Sequence, residues 1–342
     1  SGLFYADVLM LPSGSVATFA KQDLLVNINS LPFFDTDHDW FDRDAVAQLS
    51  AGYQTYALYG ALTNDPQHLY ACFFNRALAT ARNIPSLYEI VSSGSWTNDL
   101  LLVCCRSVPD DMIGLSSYLS QDALTNAFFL ATGQQYLKTG VGTLPTPTFA
   151  GEQTDLLVEQ LRSLFESYNT ENQEEALNSF YAGKSLFIIS PLYLSGWILD
   201  MEDAWGILPL PKTSDAQTQY YTPTNTSAEV AAIPNNNQDI DRIGPFLQTM
   251  FAASGDLNDA YLNDYTDRYL RDDASIHMLE IILQNPRLDF ACMFGASYNA
   301  IPKATASLLR NAVYQNGTVT DSYGNQLERL HRQMEEVFGH LE

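Results

Sequence analysis

The sequence predicts an α/β fold divided into two lobes. Three observations carry this: the length, the alternation of short apolar strand-like runs with helical patterns, and one stretch that reads as a crossing between lobes. At 342 residues the chain suits about two domains of roughly 150 residues each. With 46% hydrophobic and 17% charged residues it can bury a sizeable core, and its composition is not that of a disordered chain. The crossing is Leu69 to Leu102. An apolar run, Leu69 to Phe74, is followed by Asn75 in capping position for a helix that Asn83-Ile84-Pro85 ends. Ser86 starts a second helix over Leu87 to Val91, Gly94 breaks it, and Thr97 caps a further turn with Asp99 near its positive end.

Taken in order, Ala6 to Leu11 is predicted as a strand. Pro12-Ser13-Gly14-Ser15 forms the loop that opens helix Val16 to Lys21, with Ser15 as its cap. Ligands bind at the carboxyl ends of α/β strands, and the small residues here let a ligand approach the backbone while Ser13 offers a hydroxyl. An ordinary strand-to-helix turn explains the same residues. Arg43 to Leu49 is predicted helical, Gly52 to Tyr59 a strand, and Gly60 to Asp65, with Thr63 and Asn64, a loop before the crossing.

Ile113 to Leu119 reads as a strand, Gln121 to Thr132 as a helix and Thr143 to Gly151 as a connection. Helices are expected over Thr154 to Ser167 and Asn172 to Tyr181, and a buried strand over Ser185 to Ile189. In Pro191 to Met201, Tyr193 and Trp197 are four apart and share one face of a helix, where such a pair serves either core or cleft. Gln219 to Asn225 is polar and aromatic and includes Tyr221. Ala228 to Ile233 reads as the strand crossing back, Asp239 to Ala253 and Asp256 to Leu283 as helices, and Phe290 to Phe294 as the last strand. Tyr298-Asn299-Ala300-Ile301-Pro302 forms the third crossing.

Several chemistries are excluded by what is missing. Forty acidic against seventeen basic residues, a formal charge of -23, repel a phosphate backbone, so no nucleic acid partner is expected. Asp35-Thr36-Asp37-His38-Asp39 opens like a calcium loop but has Trp40 where glycine is needed, so no metal is assigned. Gly183-Lys184-Ser185 ends like a phosphate loop, yet Asn178 stands in place of the earlier glycine and the order is helix then strand. The five histidines are scattered, and no nucleophile has a histidine partner. No catalytic residue and no cofactor is assigned. A glycosidase built on two distant carboxylates is the remaining enzymatic alternative. Cys72, Cys104, Cys105 and Cys292 lie in apolar runs read as strands, with Cys104 and Cys105 on opposite faces, and lack metal or redox spacing. Buried thiols are expected, a Cys72 to Cys292 bridge being left open. No run of about 18 apolar residues reads as a membrane span.

Five segments in order resemble one family. They are ADVLMLPSG (6 to 14), the FFN-helix-Pro-YEIV-G-x-WT stretch, FYAGKSLFIISP (180 to 191), WGILPLPK (205 to 212) and AYLNDYTDRYLRDDASIHMLEIIL (260 to 283). The chain resembles the carbohydrate-type extracellular solute-binding proteins of ATP-binding cassette importers. That resemblance implies a two-lobed type II periplasmic-binding-protein-like fold with three interlobe crossings. Lobe one would take 1–69 plus 229–297, and lobe two 70–228 plus 298–342. It implies a small-molecule ligand, a sugar or oligosaccharide, held between the lobes by Ser13, Gly14, Thr63, Asn64, Tyr193, Trp197, Tyr221, Tyr298 and Asn299. It also implies a membrane permease as partner and an extracellular lipoprotein or periplasmic location. A sensor or surface module of the same fold is the alternative without transport. Where maltose-type relatives place tryptophans this chain has Leu192 and Leu308. Relative to the family the front portion is missing, signal and anchor included. The expected consequence is either a homodimer through lobe one or an incomplete cleft.

Overall fold

Two uninterrupted apolar runs become the central strands of the protein. The computed structural model describes residues 5–63, 66–140, 143–166, 172–270, 272–294, 301–315, 318–320, 332 and 335. The chain begins with β1 (Leu9–Pro12), a 3₁₀ turn (Ser13–Ser15) and α1 (Val16–Lys21). Next are α2 (Arg43–Gln48) and the two-residue strands β2 (Ser50–Ala51) and β3 (Gln54–Thr55). Strand β4 (Tyr70–Asn75) leads to α3 (Arg76–Ala81), α4 (Leu87–Ser92) and α5 (Asn98–Cys105). There follow β5 (Ile113–Ser117), α6 (Gln121–Ala131), β6 (Leu137–Gly140) and β7 (Thr143–Pro147). Helices α7 (Glu152–Phe165) and α8 (Gln173–Tyr181) precede β8 (Ser185–Pro191), a 3₁₀ turn (Leu192–Gly196) and β9 (Trp205–Leu208). After β10 (Thr222–Pro223) and β11 (Glu229–Ala232) come α9 (Ile240–Ala253), α10 (Leu257–Tyr269) and α11 (Asp273–Gln284). The last elements are β12 (Pro286–Arg287), α12 (Phe290–Phe294) and α13 (Ile301–Gln315).

The main sheet has the order β5-β8-β4-β9, with β4 antiparallel to both neighbours and β5 parallel to β8. Every residue of β4 and β8 is buried, which is why they read as continuous apolar runs and not as alternating ones. Helix α8 packs on β5 and β8, while α4 and α11 pack on β9. Local caps position these helices. Asn75 Oδ1 accepts Leu78 N–H at 2.9 Å, Ser86 Oγ accepts Glu89 N–H at 3.4 Å and Thr97 Oγ1 accepts Leu100 N–H at 3.4 Å. Asn75 is fully buried and also donates from Nδ2 to Asp203 at 2.8 Å. Replacing Asn75 by Ala is therefore expected to cost about 2 kcal/mol, measured by urea unfolding, since it removes a cap and strands a donor and an acceptor together. A loss below about 0.5 kcal/mol would show that water replaces both bonds.

A smaller layer precedes the main sheet. Antiparallel β1 and β11 pair from Leu9↔Ala232 to Pro12↔Glu229. Beneath them α9 and the segments around Ile28, Phe41 and Leu58 enclose a second core, with Leu247 and Phe251 from α9. Val16 and Ala17 of α1 instead join the main core. The passage between layers is tied at Leu69, whose carbonyl accepts Leu192 N–H at 2.9 Å and which pairs with Thr224.

Several expectations change on physical grounds. Phe290 to Phe294 is helix α12, its first turn held by Asp289, which accepts Cys292 N–H at 3.1 Å. Cys104 and Cys105 sit on the buried side of α5, the helix that Thr97 caps, so the strand reading fails. Gly52 to Tyr59 makes only the short β2-β3 hairpin, because Thr55 N–H turns to Asn27 Oδ1 (3.0 Å) and Leu58 to Ala231. Ser15 makes no capping bond, the 3₁₀ turn running straight into α1. Thr143 to Pro147 is a strand paired with β6, although it was expected as a plain connection. Helix α11, from the span expected in the first lobe, packs on the main sheet. All four cysteines are free thiols. Of the expected third crossing, Tyr298 to Ala300 lie outside the described residues, while Ile301 and Pro302 open α13.

Candidate functional site

The sheet itself gathers the aromatic side chains. Strands β5 and β8 are parallel and end at one edge, and antiparallel β4 starts there, with Tyr70 opposite Pro191 and Tyr118 N–H bonded to Ile189 O at 2.9 Å. Ligand sites of α/β sheets lie at such carboxyl ends. Four rings meet at this edge: His68 before β4, Tyr118 after β5, and Tyr193 and Trp197 after β8. Tyr193 lies 5.2 Å from Trp197, 6.4 Å from Tyr118 and 6.1 Å from His68, between ring centroids. Tyr118 meets Trp197 edge to face at 5.2 Å. Such tilted contacts hold rings through quadrupole attraction and leave one face of the group open. Trp197 is 50% exposed, so its indole is available to a ligand. Burial, and then Tyr118, pushes the Tyr193 hydroxyl above its ordinary pKa, which keeps it a neutral donor.

The segment carrying Tyr193 is a 3₁₀ turn, not an α-helix, and Trp197 is its closing residue, with N–H donated to Leu194 O at 2.8 Å. Tyr265 of α10 buttresses the turn from behind by donating its hydroxyl to Leu192 O at 3.3 Å. Both rings still share one side. Leu192 and Leu308 are buried and face the core.

The other expected residues fall in different settings. Ser13 is fully buried and its hydroxyl has no partner among the described residues; its N–H is bonded to Ala228 O at 2.8 Å. Gly14 serves a close approach, since a Cβ there would lie 3.0 Å from Thr226 Cβ, and its N–H donates to Thr226 O. Thr63 is buried and its Oγ1 accepts Gly60 N–H at 3.1 Å, closing its own turn. Tyr221 lies under the Arg287 guanidinium, 4.4 Å from it, and against Gly133, where a Cβ would come within 2.3 Å of the ring. Arg287 in turn binds Asp44 at 2.7 Å. Asn64, Tyr298 and Asn299 lie outside the described residues. Tyr193 and Trp197 are thus brought together, with Tyr118 and His68 added. Tyr118 lay inside the predicted strand Ile113 to Leu119, which ends at Ser117 and so frees it for the edge, and neither it nor His68, placed before the crossing, carried a signal of its own in the sequence.

Among the described residues no group of three His, Cys, Asp or Glu could hold a metal ion, and no helix is long and apolar enough to cross a membrane. No family model and no curated protein matches the sequence. Solved structures do match. The galacto-N-biose/lacto-N-biose I-binding protein of an ABC transporter from Bifidobacterium longum aligns with a TM-score of 0.61 and 13% identity, over 97% of this chain and 83% of that one. The GacH receptor of Streptomyces glaucescens, solved with acarbose, gives 0.57 and 14%, over 96% and 84%. UgpB from Mycobacterium tuberculosis, in complex with glycerophosphocholine, gives 0.57 and 15%, over 98% and 85%. The chain has the fold of the solute-binding proteins of ATP-binding cassette transporters.

Proposed function

We propose that the protein is an extracytoplasmic solute-binding protein that captures a small carbohydrate and delivers it to the permease of an ATP-binding cassette transporter. The observation that carries this reading is the group of Tyr118, Tyr193, Trp197 and His68 at the strand ends of the main sheet. Sugar rings bury C–H faces on aromatic side chains while their hydroxyls pair with polar groups. The shared fold supports it, because the matched structures include proteins solved with lacto-N-biose, acarbose, mannitol and tagatose. Two lobes, joined at Leu69 and at 228–233, close over the ligand in this proposal. Ser13 and Gly14 are the first-lobe residues proposed to face the rings.

A thermal-shift panel of mono- and oligosaccharides, polyols, peptides and polyamines tests it. A ligand at 100 times its dissociation constant adds about 2.7 kcal/mol to the folded state. Sugars are expected as the hits, and Tyr193→Ala and Trp197→Ala should each weaken sugar binding roughly tenfold in calorimetry, with little change in unfolding. Stabilisation by peptides alone, or unchanged affinity in both variants, would overturn the assignment.

A further inference from the structure

The turn that carries the two aromatic residues of the site is seated by a single ring behind it. In Leu192–Gly196 the side chains of Leu192, Leu194 and Ser195 are fully buried, while Tyr193 is half-buried and Trp197, which closes the turn, is half exposed. Spacing does not explain why the two rings meet. A 3₁₀ turn advances about 120° per residue, so positions four apart point about 120° away from one another. The ring centroids nevertheless lie 5.2 Å apart. The ladder changes inside the turn: Leu194 O accepts Trp197 N–H at 2.8 Å and Ile198 N–H at 3.2 Å, so Trp197 sits where 3₁₀ geometry passes into α. Where its indole points therefore depends on how residues 192–195 are held.

They are held by α10. Ser195 places a hydroxyl on the buried side of the turn, where a hydroxyl without a partner costs stability. Its partner is the Tyr265 hydroxyl, which in turn donates to Leu192 O at 3.3 Å. One ring thus fastens the first residue of the turn and the fourth. At the next residue, a Cβ on Gly196 would lie 3.6 Å from the Tyr269 hydroxyl, so α10 follows the turn along its length. Among the described residues of α10, Tyr265 is the one buried side chain, at 3% exposure. Tyr261 and Tyr269, one helical turn to either side, flank it at 5.6 and 4.9 Å between ring centroids and limit its movement. Burial pushes the Tyr265 hydroxyl above its ordinary pKa, so it remains a donor.

We propose that Tyr265 is a positioning residue for the carbohydrate site. Through Ser195 and Leu192 it holds the turn in the seating that brings Tyr193 and Trp197 together, and it makes no contact with the sugar itself. The inference rests on the carbohydrate reading and adds to it that affinity depends on a hydroxyl pair behind the rings.

Tyr265→Phe tests it, because phenylalanine keeps the ring and removes the hydroxyl. The control is Tyr88→Phe. Tyr88 makes the same kind of pair with Ser275, at 2.8 Å, and its ring meets Phe74 at the far end of β4 from the site. The first readout needs no sugar: acrylamide quenching of tryptophan fluorescence, with each protein compared with its Trp197→Phe counterpart to isolate Trp197. Quenching of Trp197 is expected to rise in Tyr265→Phe and to stay at the wild-type level in Tyr88→Phe. The second readout is calorimetric titration with the saccharide that stabilises the wild-type protein most in the thermal-shift panel. Affinity should fall roughly tenfold in Tyr265→Phe and hold in Tyr88→Phe. Adding Ser195→Ala to Tyr265→Phe removes the stranded hydroxyl, so part of the urea midpoint should return while sugar affinity stays low, a split that a merely structural role does not produce. The proposal is overturned by unchanged Trp197 quenching or unchanged sugar affinity in Tyr265→Phe, by an equal loss of affinity in Tyr88→Phe, or by affinity that returns with stability in the double variant. If no saccharide binds the wild-type protein, the carbohydrate reading falls by itself. The quenching then decides alone: a rise confined to Tyr265→Phe supports the seating of the turn by Tyr265, and no rise overturns it.

Discussion

Raising the pH from about 3 to about 7 should cost the wild-type protein about 3 kcal/mol of stability relative to its Asp289→Asn variant. Asp289 is 1% exposed, and burial pushes its carboxyl from 3.8 up to about 6 even though it accepts N–H groups from Tyr136 and Cys292, both at 3.1 Å. The unfolded chain ionises this group near 3.8 and the folded chain only near 6. Its contribution is therefore fully present below pH 4, is lost as the pH rises toward 6, and is flat above. Asparagine does not titrate, so the difference between the two proteins isolates this one group from the other acids. Urea unfolding at several pH values gives the measurement. A difference that stays constant with pH would mean that Asp289 ionises in the fold as easily as in water. The consequence reaches beyond stability, because Asp289 ties the approach to β6 to the start of α12, and the segment after α12 was expected to form the third crossing.

The Asp289 contact also shows where a sequence can be read and where it cannot. Asn75, Ser86 and Thr97 each precede a helix by one residue and each accepts the N–H three residues on, so local chemistry alone located α3, α4 and α5. The runs that became β4 and β8 were equally plain, because strands covered on both faces have no polar side to blur them. Phe290 to Phe294 is also wholly apolar, but five residues are too few for a period to separate helix from strand. The deciding contact, Asp289 to Cys292 N–H, looks like any acidic residue before an apolar run. Cys104 and Cys105 were misplaced for a related reason: Leu100 to Cys105 is apolar on every side, and only the cap at Thr97 told that it continued as a helix.

At the site, spacing carried part of the answer. Four residues on, an α-helix returns to nearly the same direction, whereas the 3₁₀ turn found here diverges by about 120°, so the 5.2 Å contact of Tyr193 with Trp197 is not fixed by spacing alone. What spacing cannot give is the partner across the sheet. Tyr118 joins them because β5 lies beside β8 in parallel register, a fact of topology that sits about 75 residues away in the chain. Tyr221 shows the converse, since a polar, aromatic sequence context suggested a cleft and the ring instead packs beneath Arg287, a residue 66 positions later. Long-range charge placement of this kind leaves no local mark.

Truncating Trp96 to Ala should destabilise the protein by about 3–5 kcal/mol, the usual cost of removing a buried large aromatic side chain. Trp96 is fully buried, its ring centroid 5.9 Å from that of Phe187 in the middle of β8. Its indole N–H donates to Pro209 O at 3.0 Å, and its backbone carbonyl accepts Lys212 N–H at 3.0 Å. The one residue thus fastens the loop before α5 to the chain leaving β9. Removing the ring opens a cavity against β8 and leaves Pro209 O without its donor, two costs that add. Trp96→Phe separates them: it keeps most of the packing and loses the hydrogen bond, so a loss of about 1–2 kcal/mol is expected. Because Trp96 packs on Phe187 within β8 and the rings of the candidate site lie at the strand ends, sugar affinity measured on the folded fraction should change little in Trp96→Phe. An alanine variant within 1 kcal/mol of wild type in urea unfolding would mean the surrounding core collapses into the space, and a Trp96→Phe protein that loses sugar binding while keeping its stability would move Trp96 from the scaffold to the site.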